Sequence, residues 1–259
     1  MPRHTTPRMS HSLELTWHLI KRDFQLRYAG SVLGILWSLA APISQLLILV
    51  FVFRRVIPLE IEHYPLFVFT AILPWNWFSA SLNASAFAFV SSRDLLRYPN
   101  FPPELIIVVN TMTNMLIFLL GLPILLGMAL SQQLSISWLV VGILPLLLLI
   151  QAVLTTGLGL LIATANVFYR DVAQITHLAL SLLFFLTPVF YQPPVDSAYR
   201  VLFEINPMSV VIQDYRKVLL DGTAPDWPSL ALAFATSLVI FLLGYWIHRR
   251  YESDVIDAI

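Results

Sequence analysis

The sequence predicts an all-α integral membrane protein. Six transmembrane helices follow an N-terminal amphipathic helix in the interface plane, and two short outer helices lie between spans five and six. Three observations carry this. The 259 residues are 58% hydrophobic, with a mean hydropathy of +0.78, and only 12% are charged, too few for a water-soluble domain of this size. Apolar runs long enough to cross about 30 Å of hydrocarbon as helices recur along the chain. Charges gather between those runs, and no Asp, Glu, Lys or Arg falls in the middle of a span.

Residues 1–11 are polar, with Pro2 and Pro7. Ser12 is placed to cap a helix with Glu14 in its first turn. Leu13, Trp17, Ile20, Phe24 and Tyr28 then recur at spacings of three and four, while Lys21, Arg22 and Gln25 take the other face. That pattern fits a helix lying in the interface, with Trp17 and Phe24 toward lipid and Lys21, Arg22 and Arg27 toward phosphates. A soluble helix packed on another domain is the other reading, but no such domain exists in this chain. No compact apolar core with a cleavage site precedes residue 30, so the first span is expected to act as the insertion signal.

Span one covers 31–53, where Gly30 and Gly34 form a Gly-x-x-x-Gly pair that would admit another backbone. Arg54 and Arg55 close it. Span two covers 65–90 and carries Asn76, Asn83 and many aromatics. Ser91 to Tyr98 reads as a short capped helix stopped by Pro99, and Pro103 with Glu104 starts span three, 104–130. Span four covers 136–166. The tight turn from Asn166 to Val172 offers Arg170 to lipid phosphate and Asp171 as a cap for span five, 172–190. Between Tyr191 and Pro228 lie a short amphipathic helix, 196–205, and a second one that Asn206-Pro207 starts and Asp221-Gly222 ends. Span six covers 229–247, and a charged tail follows.

Six spans place both ends on one side. With that side inside, Arg54, Arg55, Arg200, Arg216 and Lys217 fall outside, and the other ten of the 15 lysines and arginines fall inside. The bias favours both termini in the cytoplasm, with Arg54-Arg55 the contrary cluster. No internal repeat is visible. The whole reads as one transmembrane domain, 1–259, divided into 1–30, 31–247 and 248–259.

The chemistry is defined by what is missing. There is no cysteine, hence no disulfide or thiolate metal site, and the six histidines form no metal motif. His4, His11 and His18 recur every seven residues near the terminus and read as solvated. Proton-coupled transport needs a titrating group within the membrane, and His177 is the one candidate, equally readable as a packing residue. Asp94, Glu104 and Asp171 stand apart, each sufficient as a cap or first-turn charge, so no catalytic set forms. No phosphate-cradling Gly-rich loop ends in Lys-Ser or Lys-Thr. If the chain pumps, another chain must bind the nucleotide.

That moves attention to the 91–98 connector. Leu95, Leu96 and Tyr98 offer apolar contact to a partner, and Arg93, Asp94 and Arg97 offer orientation; an ordinary interfacial loop helix would look the same. In span two, Phe67, Trp75, Phe78 and Phe89 share a face at helical period. Such a stripe could stack on sugar rings while Asn76 and Asn83 meet hydroxyls, or it could be packing surface. Asn110, Asn114, Gln151 and Asn166 line a polar route or bond between helices.

Five stretches, in order along nearly the whole chain, resemble the membrane subunit of type 2 ABC exporters for polysaccharides, the O-antigen and teichoic-acid permeases. They are RDFQLRYAGSVLGILWSLAAP (22–42), SSRDLLRYPNFPPEL (91–105), NVFYRDV (166–172), LTPVFY (186–191) and NPMSVVIQDYRKVLLDG (206–222). The resemblance implies a homodimer of this chain with two copies of a nucleotide-binding ATPase subunit. That subunit would bind ATP and Mg, leaving this chain no cofactor, no metal and no enzymatic step. It implies that the 91–98 helix is the coupling helix seated on the ATPase, and that the N-terminal helix braces the same side with the 170–171 turn. The short helices of 196–220, with Tyr191, Asn206, Pro207, Tyr215 and Arg216, would be outer gates. The pore would run between protomers, with Trp37 of span one joining the aromatics and asparagines of span two.

The expected activity is ATP-driven export of an undecaprenyl-linked, O-antigen-like polysaccharide across the bacterial inner membrane, with membrane lipids and no nucleic acid as further partners. A type 2 ABC permease for a drug or another lipid is the alternative within the class. A membrane enzyme or assembly scaffold without an ATPase is the alternative outside it.

Overall fold

A computed structural model describes residues 9–28, 30–31, 34–98, 101–134, 137–193, 203 and 205–258. Every regular element among them is helical. Helix α1 spans Met9–Tyr28. It starts before Ser12, which therefore sits inside the helix and does not cap it. Gly30 and Gly34 both have positive φ, 74° and 51°, and a Cβ at either would meet nothing within 4 Å. The pair supplies left-handed backbone for the turn out of α1, a job for glycine, rather than a helix-packing notch. The first span consequently begins later than residue 31: α2 is Leu36–Phe51, extended by a π-helical turn, Val52–Val56.

Helix α3, Tyr64–Ser91, is the centre of the molecule. Its 28 residues reach about 42 Å, and 19 of them are buried. It packs against α2 and, from later in the chain, α5 (Glu104–Ser131), α6 (Leu139–Phe168), α7 (Asp171–Leu186) and α8 (Pro207–Arg216). Because α3 meets protein rather than lipid on most sides, it tolerates Asn76, Ser79, Ser81, Asn83 and Ser85. Pro74 lies within the helix, and the Gln151 amide of α6 donates to its carbonyl at 2.8 Å. The short connector α4 spans Arg93–Leu96. Helix α8 runs into a π-helical turn, Lys217–Asp221, which Gly222 ends at φ 61°.

The last helix, α9, spans Trp227–Ala258. It continues through what the sequence suggests is a separate tail from residue 248. Its seam with α6 is the tightest in the fold. A Cβ on Gly157 would strike the backbone of Phe241, and one on Gly244 would strike the Gly157 carbonyl, so the two backbones touch.

Among the described residues, four helical stretches are long and apolar enough to cross a membrane: Leu36–Val56, Glu104–Ser131, Val140–Phe168 and Trp227–Ala258. Two of the six expected spans do not meet that description. Helix α3 has the length but is diluted by its serines and asparagines. Helix α7 has 16 residues, about 24 Å, which falls short of the hydrocarbon thickness. The expected short helix at 196–205 lies outside the described residues except for Phe203 and Ile205, both helical.

Two apolar cores result. The large one centres on Leu66, Phe69, Ile72, Leu147, Ile150 and Tyr215. The small one, at the other end, joins Ala88, Phe89, Leu96, Ile107, Leu160, Ala163 and Val255. It brings α4 and the C-terminal end of α9 into contact with one group of side chains.

Candidate functional site

At the α4 end the sequence-selected residues divide by face. Arg93, Asp94, Arg97 and Tyr98 are exposed, and Leu95 is half-buried. Leu96 is buried in the small core, so it holds α4 to the body and is withdrawn from any partner. Ser92 makes no side-chain cap, and the helix is a bare turn of four residues. Helix α1 lies alongside. Arg22, Asp23 and Arg27 share a cavity of about 150 Å³ with Ser91, Ser92 and Leu95. Trp17 is 60% exposed while Ile20 faces inward. Lys21 and Arg22 are exposed, and Phe24 is half-buried.

Arg27 does more than face phosphate. It donates to Asn114 Oδ1 at 2.9 Å and pairs with Asp23 at 3.5 Å. Asn114 donates in turn to Asn110 Oδ1, and Asn110 donates to the Ser81 carbonyl and Ser85 Oγ. The sequence flagged both asparagines, but their link to Arg27 spans 87 residues and leaves no local signal.

At the α6–α7 turn, Arg170 and Asp171 are exposed. The cap expected of Asp171 is supplied instead by Asn166, whose Oδ1 accepts from the Ala173 N–H at 3.0 Å. Asn166 is buried within reach of those amides, whereas Asp171 begins the helix and points away.

The aromatic stripe of α3 is largely core. Phe67, Trp75, Phe78 and Phe89 are each 6% exposed or less. Phe67 lies under the Arg216 guanidinium, 3.5 Å from its ring centroid, and Phe89 packs on His248. Trp75 meets Phe78 and Phe184 but also borders a cavity of about 330 Å³ with Gln45, Ser79, Asn83, His177 and Ser181. Asn76, Ser79 and Asn83 border a second cavity, about 280 Å³, with Arg27, Ser38 and Asn114. The polar edge of α3 therefore faces two openings, while its aromatic face is mostly spent on packing. Trp37, on α2, is 58% exposed and apart from this group.

At the opposite end, α7 stops at Leu186 before Thr187-Pro188. Asn206 caps α8 by accepting from the Met208 N–H at 3.0 Å, with Pro207 in the first turn as expected, and donates to Thr187 Oγ1 at 3.0 Å. Arg216 donates to the carbonyls of Phe67, Pro188 and Val189 at 3.2, 2.7 and 2.6 Å. Burial pulls its pKa down to about 9, leaving it charged at neutral pH, with Tyr64 and Asp221 opposing the shift. Tyr191 donates to the Phe185 carbonyl at 3.0 Å. Tyr215 is fully buried against Phe118. Asn206 and Arg216 thus knot together α3, α8 and the chain just after α7, while Tyr191 bonds back to α7 and Tyr215 packs on α5.

Comparison with known proteins decides the family. The model of the ABC-2 type transporter matches residues 14–220. The chain belongs to the ABC-2 type transporter family. Among similar ABC-2 proteins, the O-antigen export system permease protein RfbA of Myxococcus xanthus is 34% identical over 93% of this chain and 94% of its own length. An RfbA of the same description from Klebsiella pneumoniae is 27% identical over 94% of each chain. The polysialic acid transport protein KpsM of Escherichia coli is 23% identical over 93% of this chain and 94% of its own. All of the α4-end, cavity and knot residues above up to Leu220 fall within the matched region.

Proposed function

We propose that this chain is the permease subunit of an ATP-driven exporter that moves a lipid-linked, O-antigen-like polysaccharide across the bacterial inner membrane. The observation that carries it is similarity over 93–94% of the chain to permeases of O-antigen export. In this reading α2, α3, α5, α6, α7 and α9 are six spans, with α7 completed by the Thr187–Tyr191 segment. Both chain ends lie in the cytoplasm. What supports this is that α1, α4 and the end of α9 gather at one end of the fold. Two copies of the chain work with two copies of a nucleotide-binding ATPase, which holds ATP and Mg. This chain carries no cofactor of its own and breaks no bond. The exposed face of α4, with Arg93, Asp94, Arg97 and Tyr98, takes the ATPase stroke.

The glycan path is narrower than the sequence suggests. Asn76, Ser79 and Asn83 of α3, with Trp75 at the rim and His177 and Ser181 across from it, supply hydroxyl partners and one stacking face. A second copy covers the apolar faces of α2 and α7, where Ile48, Phe51, Leu182 and Phe185 are more than half exposed. The 187–221 knot closes the outer end.

The test uses cells lacking the chain and vesicles holding it. Removal should strip polysaccharide from the cell surface and leave lipid-linked glycan inside. The purified chain should carry an ATPase subunit with it. Glycan transport by the chain alone, without ATP, would overturn the reading.

A further inference from the structure

His248 has no place in the function described so far, yet it is fully buried near the cytoplasmic end of α9. Three contacts fix its ring. Thr164 Oγ1 of α6 lies 3.2 Å from Nδ1, and Phe89 of α3 packs on the ring at 5.2 Å between centroids. The third neighbour is Glu104, the first residue of α5. Its Oε2 stands 3.9 Å from His248 Nε2. Both atoms are buried, and neither has a hydrogen-bond partner among the described residues. A normal bond needs about 3 Å, so the pair is roughly 1 Å open. A displacement of about that size would bring the two atoms into a hydrogen bond.

The surroundings say what would close the gap. Glu104 follows α4 by a short loop. Leu96 of α4 and Val255 of α9 sit in the same small core. Densely packed side chains transmit displacement rather than absorb it. On the other side, α9 is locked to α6 through Gly157 and Gly244, so these two helices move as one body. Arg249 holds Glu104 Oε1 at 3.5 Å while bonding Glu252 at 2.7 Å, which keeps the carboxylate near α9 without filling its second oxygen. The open pair therefore lies where α4–α5 meets α6–α9, beside the core that Leu96, Ile107, Leu160, Ala163 and Val255 share.

We propose that His248 is a positioning residue of the exporter: its Nε2 closes onto Glu104 when α4 is pushed, locking the start of α5 to the α6–α9 body so that the stroke reaches the spans. This rests on the reading of α4 as the helix that receives force from the ATPase.

The experiment compares five variants in the complete complex of this chain with its ATPase subunit. Export is read as surface polysaccharide in cells, and ATP hydrolysis is read on the purified complex in lipid vesicles. Glutamine can place an N–H where Nε2 lies, whereas asparagine reaches only the Nδ1 position. His248→Gln should therefore retain export within about twofold, and His248→Asn should lower it about tenfold, the size of one lost charge-assisted hydrogen bond, with ATP hydrolysis little changed. Glu104→Ala should match His248→Asn, and the pair together should be no worse than either alone. Equal export from His248→Gln and His248→Asn, or additive losses in the double variant, overturns the proposal even if α4 is the receiver. Replacing Arg97 and Tyr98 with alanine separates the two ideas. Normal export from that variant overturns the α4 reading, and this proposal with it.

Discussion

The two ends of the molecule each bury a charged or titratable side chain among helix termini, but they treat it differently. At the α7–α8 end Arg216 gives its guanidinium to three carbonyls and lays its face on Phe67. At the α4 end His248 and Glu104 confront each other with the facing atoms 3.9 Å apart. A guanidinium bonded through all three of its nitrogens has one good geometry and resists change. An unsaturated pair has a better geometry nearby and invites it. The contrast teaches that burial alone does not say whether an anchor is fixed; the count of satisfied atoms does.

Substitutions can break or sharpen this contrast. The largest effect is expected at Arg216. Arg216→Met strands three buried carbonyls and should cost about 3–5 kcal/mol, seen as a large drop in the thermal midpoint of the chain in detergent. Arg216→Lys offers a point charge instead of a fork and should recover less than half of that loss. An unchanged midpoint for both would mean that the outer knot is not what holds α7 and α8.

Next comes the seam that joins the two ends. Gly244→Val pushes a side chain into the Gly157 backbone and should cost about 1–3 kcal/mol or more. It should also lower export beyond what its stability loss explains, because α6 and α9 would no longer move together. Export that tracks the amount of folded protein would deny the seam any part in transmission.

Asn206→Ala should cost about 1–2 kcal/mol, since the side chain both caps α8 and bonds Thr187. The loss should appear as faster proteolysis between α7 and α8, with the cytoplasmic end unaffected. Val255→Ala is expected to be mildest, about 1 kcal/mol from the small core. Here export should fall more than the midpoint suggests, whereas at Asn206 the order should reverse. The same ratio of export loss to stability loss at both sites would erase the distinction between a fixed and a movable end.

Much of the fold was legible because apolar runs are local. The long helices α5, α6 and α9 follow from uninterrupted hydropathy, and the Asn206-Pro207 start of α8 follows from cap chemistry. What escaped was set by distance in the chain. The Gly30–Gly34 spacing suits a packing notch, but only three-dimensional placement shows that both residues turn the backbone. Leu96 and Tyr98 look alike in sequence, and the fold sends one inward and the other out. Phe67 and Phe89 read as a stripe open either to sugar rings or to packing, because the residues that cover them, Arg216 and His248, lie about 150 residues later. Asn166 displaced Asp171 as a cap because a helix can be capped from the preceding turn. The charge census hinted at Arg216 only as an outer cation, since nothing local reveals a guanidinium with no acidic partner at bonding distance.

The central helix carries a consequence for biogenesis. Segment 64–91 contains Asn76, Asn83 and several serines, and lipid would pay poorly for them. A ribosome-borne chain cannot leave such a segment alone in the bilayer until its wrapping arrives. In the six-span reading it is expected to enter the bilayer together with the flanking apolar helices. The mast of this vessel is stepped only once there is a hull around it.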